Sequence, residues 1–467
     1  MMNAGKPGCA GCQQLERELQ ELTAEVSRLK AALAAAAKNS GNSSKPPSSD
    51  IVKPPKPAPS GGGKRQRGGQ PGHARHQRPP FDPLDLDGTL DYRYTLCPDC
   101  GGPVQPCDAL PRLLQQVEIR ERPIDVREHR SLPCWCPRCQ ATHYAPIEEA
   151  VRRAGLVGPR LTAVIAYLKG ACHCSFSTIR KFLRDVVGVP ISRGQLARLC
   201  AKVSVSLDQA YADLLALLPQ QQRLNVDETG HKDNGEPMWT WCFRAPLFTL
   251  FKIAPSRGSV VLLEVLGEEF NGVLGCDYFS AYRKYMGDCG VLVQFCLAHL
   301  IRDIKFLTTH PDKRNQSYGR RLLEAARDLF ALIHRRELLD PKQFALDLED
   351  AGGLLMGQAL TSVPRTAEAR NLAARFEKHG ESYLRFITTP GVEPTNNLAE
   401  QAIRFVVLDR IVTQGTRGET GQRWLERIWT TMASCAQQGR SVFAFLAESI
   451  VAHLTGQPPP SLVPNSS

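Results

Sequence analysis

No run in this 467-residue chain approaches the ~18 consecutive apolar residues that a membrane-spanning helix needs. Its opening, MMNAGKPGCAGC, has no apolar h-region, so neither export nor membrane insertion is expected, and the expected setting is the cytoplasm. Acid is missing from residues 51–80, which hold seven basic residues. The first 80 residues carry 13 Lys+Arg and 5 Asp+Glu, and so supply +8 of the formal +11 that 58 Lys+Arg and 47 Asp+Glu leave. A basic arm of this kind suits a polyanion, nucleic acid first, with Lys64, Arg65 and Arg67 as candidate DNA contacts; its alternative is a solvated linker. Residues 39–85 are also too rich in Ser, Pro and Gly to bury apolar surface unaided, and read as a tether.

Ahead of the tether, Leu15, Leu22 and Leu29 recur every seven residues. Leu19, Val26 and Leu33 form a second series offset by four. That a/d pattern predicts a coiled coil over 1–38, and with it a homo-oligomer.

Sixteen cysteines in a long chain with paired CxxC spacing point to metal rather than to disulfides. Cys97-Pro-Asp-Cys100 and Cys136-Pro-Arg-Cys139 enclose an apparently strand-rich stretch, 113–132. Four thiolates on two tight turns suit structural Zn²⁺ in a ribbon over 86–150, and leave no open position for catalysis. Residues 151–220 read as helical. A Gly-Val-Pro turn precedes Ser192, a candidate cap, and a helix bearing Arg193 and Arg198, so a DNA-binding helix-turn-helix is one reading and a plain helical hairpin the other. Cys172, His173 and Cys174 read as core helix.

Past residue 220 the period becomes that of strands. RLNVDET alternates, Asn234-Gly235 marks a hairpin, and WTWCFRA and FTLFKIA follow as strands. A helix, a buried strand ending at Asp277, a helix, a strand and a helix come next. Three antiparallel strands followed by that alternation is the ribonuclease H-like order. We read it over 221–312, with a helical insertion at 313–387, a returning helix at 388–412 and C-terminal helices at 413–467. The whole is a multidomain α+β chain.

In that order Asp227 lies on the first strand and Asp277 at the end of the fourth, two central strands that lie side by side, and Glu400 lies on the returning helix. Glu228 competes with Asp227, but neighbours on a strand point to opposite faces; Glu393 precedes Pro394 in a loop. Two Mg²⁺ (or Mn²⁺) ions ~4 Å apart stabilise both the attacking and the leaving oxygen of in-line phosphoryl transfer, and each takes few protein carboxylates. Asn396 and Asn397 would orient that shell or meet phosphate, and Arg404 would hold phosphate or pair with Glu400. Cys296 and His299, three apart on a helix, could bind a metal, but the commoner arrangement is a half-buried histidine beside a small apolar cysteine.

LNVDET, CDYFSAY, the Cys296–His299 block and PTNNLAEQAIR resemble the signature blocks of the insertion-sequence-66 family transposases, of the Asp-Asp-Glu group. The order of the preceding segments is similar too, although Leu297 stands where the family commonly has Trp. The resemblance implies a catalytic triad of Asp227, Asp277 and Glu400. It also implies cutting and joining of DNA at insertion-sequence ends in the bacterial nucleoid, and small accessory proteins from the same element. The rival readings are a nuclease or resolvase of the same fold and a non-catalytic zinc-ribbon DNA-binding regulator.

Overall fold

The computed structural model describes residues 10–36, 38–39, 79–105, 111, 113–121 and 123–464. Lys64, Arg65 and Arg67 lie outside the described residues, as does most of the tether. The chain divides into a unit of residues 55–127 and a unit of residues 1–54 with 128–467.

Helix α1 (Ala10–Ala36) carries both heptad series. Its six a/d side chains, Leu15 to Leu33, are 48–67% exposed, so the stripe finds no cover among the described residues. In the smaller unit, Cys97 opens a tight turn closed by the Cys97 N–H to Gly102 O and Gly101 N–H to Cys97 O hydrogen bonds. The strands expected over 113–132 do not form in the described residues there. Val117, Ile119 and Val126 remain 68–69% exposed: their alternation meets no partner strand and no apolar layer. The next regular elements, β1 (Pro133–Cys136) and β2 (Ala141–Tyr144), pair as an antiparallel hairpin.

Helices α2 (Glu149–Ala154), α3 (Pro159–Gly170), α4 (Phe176–Phe182), α5 (Arg193–Ser206) and α6 (Asp208–Leu217) follow. Ser192 does cap α5, accepting from the Gln195 N–H. Cys172–Cys174 are not helix. They form the turn that ends α3, where His173 takes a left-handed conformation (φ 52°) and its Nδ1 meets Asp409 Oδ1 at 3.2 Å. The local apolar pattern continues through this turn, but the polar partner that stops the helix lies 236 residues away.

β3 (Arg223–Asp233), β4 (Glu236–Arg244), β5 (Thr249–Ala254), β6 (Val273–Cys276) and β7 (Leu292–Phe295) form one mixed sheet. Its order is β5-β4-β3-β6-β7. β3, β4 and β5 pair antiparallel, and β6 and β7 run parallel to β3. The Asn234-Gly235 turn has positive φ at both residues (51° and 93°), which suits a two-residue hairpin loop matched to strand twist. Buried Trp241, Phe243, Phe251 and Phe295 anchor the core. α7 (Ser259–Leu266) and α8 (Ser280–Cys289) connect β5, β6 and β7, and α9 (Leu297–Thr308) leaves β7.

α10 (Lys313–His334), α11 (Pro341–Leu360) and α12 (Ala367–Thr388) make the helical insertion. Its last helix packs on the β7 edge, where Gln294 Nε2 donates to Tyr383 O and Oε1 accepts from the Phe386 N–H. The chain then returns as α13 (Asn397–Thr413) and finishes with α14 (Glu419–Gln437) and α15 (Val442–Thr455), which pack with α3 and α5.

α14 closes the other edge of the sheet. The N–H groups of Thr249, Phe251 and Ile253, every second residue of β5, donate to Ser434 Oγ, Thr430 Oγ1 and Glu426 Oε1. Acceptors four apart on a helix advance ~6 Å and match donors two apart on a strand, which advance ~7 Å. An open strand edge is thereby blocked without a further strand.

Candidate active site

Glu228 and Asp227 separate as strand alternation requires. Glu228 is buried and spent: Arg257 Nε and Nη2 donate to its Oε1 at 2.9 and 2.7 Å, and the Tyr282 hydroxyl donates to Oε2. Arg257 is itself stacked on Phe279 and Trp239. Asp227 makes no such ion pair. Its carboxyl is held well above the usual range, first by burial, then by the charges of Glu228 and Asp277, with Glu400 adding to them. Asp277, one residue past β6, is pushed up to about 6 by burial and by Glu228. The Phe279 N–H, donating to its Oδ1 at 2.9 Å, and Arg257 oppose that rise, while Glu400 adds to it. The fold thus brings the three acids into one electrostatic neighbourhood.

These shifts have a sign that can be checked on the metal-free protein. A carboxyl raised on folding stabilises fully below its unfolded pKa, near 4, and loses that contribution as pH rises through about 6. Asp277→Asn cannot ionise and keeps an oxygen for the Phe279 N–H. In chelator it should be more stable than wild type by on the order of 2 kcal/mol at pH 8, and equal to it below pH 4. Denaturant melts at the two pH values test this; an unchanged difference between them refutes it.

Glu400 is placed by the segment before its helix. Asn396 sits at the N-cap of α13 but makes no cap hydrogen bond. Only 1% exposed, it accepts from Asn225 Nδ2 at 3.0 Å, donates through Nδ2 to Val226 O at 2.8 Å, and donates its N–H to Cys296 Sγ at 3.1 Å. A second tie runs from the Leu297 N–H to Pro394 O. Gly275, opposite Asn225, leaves room for this amide pair: a Cβ there would lie 2.5 Å from Asn225 Nδ2. Asn396 is therefore a buried tie between α13, β3 and α9, whereas Asn397 is exposed.

Arg404 is exposed, and the basic neighbours of Glu400 are instead Arg302 Nη2 at 3.8 Å from Oε2 and His299 Nδ1 at 3.6 Å from Oε1. Both are separated from Glu400 by about a hundred residues, so no local spacing announced them. The one signal was the Cys296–His299 block, which puts two ligand-type side chains on the first turn of α9. Among the described residues, one group of three potential ligands has its donor atoms within 4.8 Å of one another: Cys296, His299 and Glu400. The three acids form a looser set.

Away from this site, each CxxC adopts its own turn. The Cys97 thiol is lowered by the N–H groups of Cys100 and Asp99, and the Cys136 thiol by the Cys139 N–H and thiol, then by the Arg138 N–H. Cys139 Sγ also lies 3.0 Å from His143 Nε2. Arg193 and Arg198 are exposed on α5. Of the basic residues near 410–427, Arg423 pairs with Glu419, Arg427 with Asp208, and Arg410 Nη1 donates to Thr229 Oγ1.

Residues 154–423 match a family model of transposases. The family is described as the transposase IS66 family; the match covers more than half of the chain, and the chain belongs to that family. Residues 9–79 match a second model, a family of unknown function (DUF6444). No curated protein matches the chain. No helix among the described residues is long and apolar enough to cross a membrane.

Proposed function

We propose that this chain binds the ends of its insertion sequence and cuts and joins DNA through Asp227, Asp277 and Glu400. The observation that carries the reading is their convergence. Asp227 comes from β3, Asp277 from just past β6 and Glu400 from α13, and burial first, then the charge of Glu228, with Glu400 adding to it, hold the two aspartates above their ordinary range. Buried acids held above their usual range, with no ion pair to either aspartate among the described residues and only Arg302 and His299 beside Glu400, fit cation binding better than a fold-stabilising role. The strand order β5-β4-β3-β6-β7, with Asp227 on central β3 and Asp277 just past neighbouring β6, supports a ribonuclease H-like core.

Asp227, Asp277 and Glu400 are the residues that would hold Mg²⁺ or Mn²⁺. When bound, the cations would lower the charge on the scissile phosphate and favour attack by water and then by a DNA 3′ hydroxyl. The protein's own work is placement. Asn396 keeps Glu400 opposite β3. Glu228, Arg257 and Tyr282 hold the far face of the strand rigid, so that Asp227 cannot turn away. Arg193 and Arg198, exposed on α5, are candidate DNA contacts, as is the basic Lys64–Arg67 stretch of the sequence, which lies outside the described residues. The reading is tested by incubating the protein with end DNA and Mg²⁺, then with target DNA. Cut ends and joined products are expected; cutting without joining would reduce the activity to that of a nuclease.

From the CxxC spacing of the sequence we further propose one structural Zn²⁺ for Cys97, Cys100, Cys136 and Cys139. The N–H groups that lower the first thiol of each turn are the kind that stabilise a bound thiolate. Metal analysis of Cys97→Ser/Cys139→Ser should show one equivalent less zinc; unchanged content would remove the assignment. The uncovered a/d stripe of α1 supports pairing with another copy of this chain.

A further inference from the structure

We propose that Cys296, His299 and Glu400 form an additional metal position, selective for a thiophilic divalent cation such as Zn²⁺, which shares Glu400 with the carboxylate site. Cys296 stands at the N-cap of α9 and His299 one turn into it, while Glu400 enters from the first turn of α13. Their donor atoms lie within 4.8 Å of one another.

The spacing is informative. His299 Nδ1 and Glu400 Oε1 face each other at 3.6 Å, too far for a hydrogen bond. Both atoms are buried, and neither has a hydrogen-bond partner among the described residues. Nitrogen and oxygen ligands of tetrahedral Zn²⁺, each about 2.0–2.1 Å from the metal, lie roughly 3.4 Å apart. The gap between these two orphaned atoms is thus close to one edge of a coordination tetrahedron.

Cys296 supplies the third corner. The Asn396 N–H, 3.1 Å from Sγ, orients that sulfur as second-shell donors do in metal centres. One sulfur, one imidazole nitrogen and one carboxylate oxygen leave a fourth position open. Sulfur and imidazole select Zn²⁺ or Co²⁺, whereas Mg²⁺ takes oxygen ligands. Ligation through Oε1 leaves Glu400 only Oε2 for the carboxylate site, and Arg302 Nη2 stands 3.8 Å from that atom, so a cation bound here competes with the carboxylate site for Glu400. Zn²⁺ then inhibits DNA cutting instead of supporting it.

The test is metal stoichiometry on the full chain, with Zn²⁺ and with Co²⁺, whose thiolate charge-transfer absorption reports sulfur ligation. Wild type should bind one equivalent more than Cys296→Ser and more than His299→Gln, and both variants should lose the cobalt–thiolate absorption that accompanies that equivalent, over and above the absorption of the four-cysteine site. Asp277→Asn should retain both the equivalent and the absorption. Circular dichroism identifies a variant that does not fold, and the other then decides. Equal stoichiometry in wild type and the folded variants overturns the proposal. So does loss of the same equivalent in Asp277→Asn, which would assign the metal to the carboxylate site. No DNA enters the measurement, so its outcome is independent of whether the chain cuts and joins DNA.

Discussion

Asp227→Asn, Asp277→Asn and Glu400→Gln should each lower Mg²⁺-dependent cutting of end DNA by about 10³-fold or more, because each removes several kcal/mol of transition-state charge stabilisation. Binding of the same DNA should change little, since phosphate affinity comes from basic side chains elsewhere. Each substitution removes one negative charge and keeps the side chain's size, so the fold has no reason to fail; Asp277→Asn is expected to be the more stable protein without metal. The measurement is cleavage and gel-shift on one preparation of each variant. Mg²⁺-dependent cutting that persists at the wild-type rate in any of the three would exclude that residue from the triad.

Asn396→Leu should have the second-largest effect, by a different route. It deletes the two side-chain hydrogen bonds that tie α13 to β3 and leaves buried amide groups unpaired, at about 2–4 kcal/mol in total. No candidate ligand is altered, yet Glu400 loses its fixed position and cutting should fall with stability. Denaturant unfolding gives the first quantity and single-turnover cutting the second. Wild-type stability would show that the buried amide network contributes nothing. Full stability with impaired cutting would show that positioning alone is at stake.

Much of this arrangement was legible in the residues. The Asn234-Gly235 hairpin, the strand–helix alternation after it and the Ser192 cap all formed as read, because each depends on contacts between near neighbours. Alternation also separated Asp227 from Glu228 correctly. Local pattern failed where the deciding partner was remote. The apparent strands over 113–132 had no mate, so they did not form in the described residues. The apolar run through Cys172–Cys174 read as helix, but His173 turns there to reach Asp409. Arg404 looked like the partner of Glu400 because it lies one turn away, but the helix carries it out to solvent and Arg302 and His299 arrive instead from α9.

By itself, then, the order of residues determined the strands and helices that follow residue 220 and set the acids Asp227 and Glu228 on opposite faces of one strand, since backbone period and turn chemistry act over a few residues. Tertiary structure decided what those acids stand beside. Only folding could bring the α14 acceptors to the bare edge of β5, bury Asn396 between β3 and α9, and set an unpartnered imidazole nitrogen against an unpartnered carboxylate oxygen. The physical reason is that hydrogen bonding, charge and metal ligation depend on distance in space, and separation along the chain says nothing of that until the core has packed.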